Sequence, residues 1–220
     1  MATELGLRAR KKQQTRRRIV AAAIELFADR GFDRVPVAEV ARHAEVSEAT
    51  VFNYFATKED LVYDGMEEFE RSLLDALRSR PAGTPVLAAF REFVLQPRGA
   101  IATGDPEAMA GIATVARITA ESASLQARER QTFERYTAAL AALLTEETGA
   151  GQEDLRPFVV ANAMMGVNRA MKEFVQRQAT AGRTGPQVGA DTLAVGEQAL
   201  ELLERGLAGY PGDHVARPGK

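Results

Sequence analysis

The chain is 220 residues long with 45% apolar residues, enough to bury a core in one large domain or two modest ones. Cysteine is absent, which excludes disulfide frameworks, thiolate metal sites and cysteine nucleophiles and makes a reducing cytoplasm the default compartment. Net charge is −2, which argues against a uniformly basic nucleic-acid binder, but residues 1–62 hold 11 Lys and Arg against 9 Asp and Glu while residues 63–220 hold 17 against 21.

Residues 8–18 carry seven basic side chains and no acidic one, the pattern of an arm that meets phosphate or, equally, of a solvated tail. The apolar run Ile19–Ile24 that follows superficially mimics a secretory signal. Glu25 and Asp29 interrupt it at helical spacing, and no stretch elsewhere approaches the ~20 apolar residues of a membrane span, so neither export nor insertion is expected.

Helical periodicity runs nearly end to end, without the strict alternation of a half-buried strand, and predicts an all-α fold. A first helix over Thr15–Arg30 places Ile19, Ala23, Ile24 and Phe27 on one face, with Gly31 after its end. Pro36 opens a short second helix that buries Val37, Val40, Ala41 and Ala44, and Ser47 caps a third that ends near Phe55. A capping box, Thr57-Lys58-Glu59-Asp60, opens a fourth helix carrying Val62, Met66, Phe69, Leu73 and Leu77 on one stripe until Pro81-Ala82-Gly83.

Beyond Gly83, helices begin at Thr84-Pro85 and Asp105-Pro106, a long one runs to about Thr148, and others span Asp154–Ala181 and the stretch after Pro186. The predicted organisation is an N-terminal helix-turn-helix domain over residues 1–62 with a basic arm, a helical regulatory and dimerisation domain over 63–209, and a flexible tail over 210–220.

The second and third helices are too small to form a core alone, so they must pack on the first through Val37, Val40, Val51 and Phe55. The other face of the third helix then presents Glu48, Ala49, Thr50, Asn53 and Tyr54, short or planar side chains suited to base edges or phosphates, above the positive end at Ser47. Lys58 follows, placed for the DNA backbone, and Arg16 and Arg17 offer further phosphate contacts. Phe52 is expected in the core.

The run from Thr15 through Leu61, above all Ile24-Glu25-Leu26-Phe27, Gly31-Phe32, Val37-Ala38-Glu39-Val40-Ala41 and Thr50-Val51-Phe52-Asn53-Tyr54-Phe55-Ala56-Thr57-Lys58-Glu59-Asp60-Leu61, resembles the N-terminal domain of the TetR family of bacterial repressors. The resemblance implies a cytoplasmic homodimer on a palindromic double-stranded DNA operator, released when a small lipophilic or drug-like effector enters the C-terminal domain. By position it makes Thr50 and Asn53 base-facing, Tyr54 and Lys58 phosphate contacts and Ser47 the cap of the recognition helix. Three departures stand out. Phe52 replaces a frequent Tyr, Val35-Pro36 replaces a hydroxyl pair, and Glu45 occupies the turn where Gly is usual, a left-handed position costing ~1 to 2 kcal/mol for a residue with a Cβ.

In the C-terminal half, Phe69, Phe90, Phe93 and Met109 are candidates to line an effector pocket, together with Ile112, Tyr136, Met165 and the amide of Asn168 in an otherwise apolar helix. Each could instead be ordinary core. Two adjoining apolar stripes on one helix cannot both face a small bundle, so Val160, Met164, Val167 and Met171 are expected at a dimer interface. Leu193, Gly196, Leu200, Leu203 and Leu207 form the matching seam of the last helix.

Neither cofactor nor metal is implied. The two histidines, His43 and His214, lie far apart in sequence, no nucleophile-elbow or phosphate-loop pattern occurs, and Glu67-Glu68 and Glu146-Glu147 face different ways along their helices, so an enzyme is not expected. Two other readings remain open: a DNA-binding regulator that senses no small molecule, and a helical adaptor that has lost DNA affinity.

Overall fold

The predicted helical periodicity is realised along the chain. The computed structural model describes residues 2–151 and 153–206, and all regular structure among them is helical. The first helix, α1 (Ala2–Arg30), starts well before Thr15 and takes the basic segment into its own length. A 3-10 turn over Phe32–Arg34 leads to α2 (Val37–His43) and α3 (Glu48–Tyr54). Ile19, Ala23 and Phe27 of α1 meet Val40, Ala41, Val51 and Phe55 in one buried cluster, as the spacing predicts.

The fourth helix departs from expectation. The Thr57–Asp60 segment forms only a 3-10 turn, Glu59–Leu61, in which the Asp60 carboxylate accepts the Thr57 N–H at 2.9 Å. The chain then breaks at Gly65, whose φ of 90° closes off helical continuation, and α4 starts at Met66 and runs to Arg78. Residues 62–65 are therefore a non-helical joint.

Next come α5 (Val86–Val94), a short α6 (Gly99–Thr103) that periodicity did not suggest, and α7 (Pro106–Ala120), capped by Asp105 accepting from Ala108 N–H at 2.8 Å. The two long helices α8 (Ala123–Thr148) and α9 (Arg156–Thr180) pack on each other, and α10 (Pro186–Glu204) covers α9. Leu73, Leu77, Phe90, Leu140, Met164 and Leu200 fill the main C-terminal core, and Met109, Val175, Ala179 and Val188 a smaller one.

The N-terminal cluster extends into the C-terminal half, for Ile118 of α7 and Leu125 of α8 are buried within it. Polar contacts lie around that junction: Ser122 Oγ donates to Asp33 at 3.1 Å, Tyr63 Oη to the Leu125 carbonyl at 2.9 Å, and Arg128 pairs with Asp60 at 2.8 Å.

The expected dimer stripe is corrected by burial. Met164, Val167 and Met171 of α9 and Leu200 of α10 lie inside the protomer's own core, and Leu193 and Leu203 are half-buried. Gly196 does permit a close approach, but of Met171 from the same chain, whose Sδ lies 2.7 Å from where a Cβ would stand. Of the expected α9 residues only Val160 is exposed, at 41%, and the apolar face actually open to solvent carries Leu155 before the helix, Phe158 and Val159 within it, and Leu202 on α10. Leu207 and the predicted tail over 210–220 lie outside the described residues.

Candidate nucleic-acid interface and effector cavity

The turn between α2 and α3 is a left-handed helix ending. Glu45 has φ 53°, and Val46 N–H reaches back to the Ala41 carbonyl at 3.0 Å, the long bond that closes such a turn. The conformation that elsewhere favours Gly is thus kept here by a glutamate. It turns the chain so that Ser47 caps α3, its Oγ accepting from Thr50 N–H at 3.1 Å and lying 2.8 Å from the Thr50 hydroxyl.

Val51 and Phe55 seat α3 in the core, and Glu48, Ala49, Phe52 and Asn53 are exposed on its outer side. Phe52 is therefore not a core residue: at 49% exposed it stands on the outward face, because Phe55 and half-buried Tyr54 take the inward positions. An exposed aromatic beside Ala49 and Asn53 gives this face apolar reach toward a thymine methyl and an amide suited to adenine.

Two expected phosphate contacts are occupied otherwise. The Arg16 guanidinium pairs with Asp64 at 2.6 Å, donates to the Tyr54 carbonyl at 3.1 Å and lies 4.5 Å over the Phe55 ring. It braces the end of α3 against the 62–65 joint. Lys58 Nζ points inward, donating to the Phe32 carbonyl at 2.6 Å with the Phe32 ring 4.2 Å away, and burial pushes its ammonium below the usual lysine range against the opposing pull of Asp33 and Glu59. Arg17, one residue along α1, is exposed.

The C-terminal half holds a cavity of about 580 Å³ and, adjoining it, one of about 420 Å³ that shares five of its wall residues: Phe69, Val115, Asn168, Lys172 and Gln176. Of the expected lining residues, Phe69, Ile112 and Asn168 border the larger compartment, and Tyr136 joins Phe69 and Asn168 around the smaller. Phe90, Phe93 and Met109 do not line it: they are spent on core packing, with Phe93 sandwiched between Phe69 and the Arg98 guanidinium. Met165 borders a separate cleft beside Phe133 and Phe158.

Lys172, Gln176 and Arg98 escaped sequence reasoning. Asn168, Lys172 and Gln176 recur every four residues on α9, a polar row that only the neighbouring Met residues obscured. Burial lowers the Lys172 ammonium to about 8, with Glu173 opposing, and the Glu129 carboxylate of α8 accepts from its Nζ. The smaller compartment is also walled by Val62, Tyr63, Asp64 and Gly65, the joint that Arg16 grips from the DNA-binding side.

Residues 19–63 match the bacterial regulatory proteins of the tetR family, and residues 84–208, more than half the chain, match the C-terminal domain described for MftR. The chain belongs to the TetR family. Among TetR-like relatives it is similar to the HTH-type transcriptional regulator TcmR of Streptomyces glaucescens, 28% identical over 76% of this chain and 75% of that protein. It is likewise similar to a putative mycofactocin biosynthesis transcriptional regulator, MftR, of Mycobacterium tuberculosis, 27% identical over 72% of this chain and 78% of that one. In fold it resembles the fatty acid degradation regulator FadR of Bacillus halodurans, with a TM-score of 0.53 and 20% identity over 88% of this chain and 96% of the other.

As a TetR-family member it is a DNA-binding transcriptional regulator and not an enzyme, and α2 and α3 are its helix-turn-helix. Among the described residues no helix is long and apolar enough to cross a membrane.

Proposed function

We propose that the chain is a homodimeric repressor that leaves a palindromic operator when a small molecule fills the cavity between α4, α7 and α9. The observation that supports gating most directly is the shared wall. The joint at 62–65 borders the cavity on one side, while its Asp64 holds Arg16, and through Arg16 the Tyr54 carbonyl at the end of α3, on the other. A ligand that displaces the joint moves the clamp on the recognition helix without touching it.

In this reading Glu48, Ala49, Thr50, Phe52 and Asn53 face the major groove, Arg17 and Tyr54 meet the phosphate chain, and Lys58 reaches phosphate only after leaving the Phe32 carbonyl. Recognition helices of a dimer on a palindrome must stand about one turn of DNA apart, ~34 to 36 Å or a multiple, so a small shift in span weakens both contacts together. The exposed apolar residues Leu155, Val159 and Leu202 supply the face that joins the two copies.

Gel shift of the purified protein on the DNA upstream of its own gene, at two stated salt concentrations and with a library of small apolar compounds, tests the whole proposal. Specific binding that weakens steeply with salt and is released by at least one compound is the expected result. Specific binding that no compound releases would leave a regulator without an effector, and no binding at low salt would leave an adaptor.

A further inference from the structure

We propose that the effector is an amphipathic monoanion, its acid head held by Lys172 between the amides of Asn168 and Gln176 and its apolar body lying against Phe69, Ile112 and Val175. The inference rests on the ligand-gated reading above and names the chemistry that the gate recognises.

The argument starts from charge. Among the described residues, those bordering the larger compartment include two cations, Lys172 and Arg98, and no carboxylate. Among the described residues the one acid on the smaller compartment is Asp64, which is already paired with Arg16. An alkylammonium head would therefore meet only cations on this wall, Lys172 being paired by Glu129 from outside it, whereas an anion can take the donors that Lys172 has left. The rest of the wall is largely aliphatic and aromatic, so the ligand must carry an apolar body, and the compartment's size falls within the ~300–1,000 Å³ of small-molecule sites.

Geometry then picks Lys172 over Arg98. Arg98 lies flat on the Phe93 ring, 4.1 Å from its centre, and donates to Gln96 at 2.8 Å. Lys172 belongs to both compartments, and Asn168 and Gln176 stand one turn before and after it on the same face of α9. Among the described residues no hydrogen bond engages the side-chain amide of Asn168 or of Gln176. Glu129 takes one of the three protons on Lys172 Nζ and is not itself a wall residue, which leaves two donors for a bound acid. Glu129 is thus a resident counter-ion that an incoming carboxylate shares or displaces. That the Lys172 ammonium is held low by burial adds that this cation gains from a second anion.

The test titrates the intact protein with decanoate, 1-decanol and decylamine at neutral pH by calorimetry, with thermal shift in parallel. Decanoate is expected to bind about tenfold more tightly than decanol, ~1.4 kcal/mol, and decylamine more weakly than either. Glu129→Gln should tighten decanoate and leave decanol unchanged, which a purely structural Lys172–Glu129 pair would not do. Lys172→Met in the Glu129→Gln background should erase the preference, and Lys172→Arg should restore it.

Equal or tighter binding of decanol or decylamine, a preference that survives the Lys172→Met change, or no binding of decanoate overturns the assignment. These failures are distinct from failure of gating. If neutral compounds release the operator, gating stands and the acid head falls; if decanoate binds through Lys172 while operator occupancy stays unchanged, the site stands and gating falls.

Discussion

At the scale of single residues, Glu45 holds a left-handed backbone with φ 53° where a glycine would be free of Cβ strain. Glu45→Gly should therefore stabilise the fold by ~1 kcal/mol, raising Tm by about 2–4 °C for a chain of this size, as a thermal melt would read. The strained turn was legible only through the TetR resemblance, which sets Glu45 where Gly is usual; the spacing of α2 and α3 by itself does not give the sign of φ. The fates of Arg16 and Lys58 were not legible: a long side chain can reach outward to phosphate or inward to a carbonyl from the same position, and only the Tyr54 and Phe32 carbonyls decide. Arg17→Ala should lower the salt slope of operator binding by ~1 and leave Tm unchanged, whereas Arg16→Ala should lower Tm and loosen α3. Lys172 gives a third expectation. Its ammonium titrates near 8 in the folded chain against 10.5 ordinarily, with Glu129 and Glu173 facing it. The unfolded chain then binds more protons between those values, so this residue makes stability rise with pH across that window. The pH profile of the Lys172→Met, Glu129→Gln variant should be correspondingly flatter there in denaturant titrations.

At the scale of elements, periodicity located every long helix but left two questions open. It gives the phase of an apolar stripe and not its partner, so Met164, Val167 and Met171 looked equally fit for a second subunit until α10 and α5 were seen to cover them. It also treats Gly65 as one tolerated residue in a helix, whereas its φ of 90° and the 3-10 turn before it make residues 62–65 a joint. Short α6 was hidden for a related reason: five residues carry too little pattern. Its placement depends on α10, since a Cβ on Gly189 would lie 2.1 Å from the Ile101 carbonyl oxygen. Gly189→Ala must push the two helices apart, with an expected loss of ~1 to 3 kcal/mol in denaturant melts. Because Ala100 and Ile101 form part of the cavity wall, the same variant should change effector affinity.

At the scale of the whole molecule, the exposed apolar face on α9 and α10 sets the expected assembly. Val159→Glu combined with Leu202→Glu should give folded monomers in sedimentation, with operator affinity down about a hundredfold or more, since the two half-sites no longer bind as one. Leu200→Glu should instead unfold the protomer, because that side chain is fully buried in its own core. The sharing of one hydrophobic cluster by α1, α2, α3, Ile118 and Leu125 bears on how such a protein fails. Because these two residues of α7 and α8 are buried among the DNA-binding helices, loosening of α7 or α8 should loosen α1–α3 as well. A substitution at Ile118, far from α3 in sequence, should accordingly lower Tm and weaken DNA binding together.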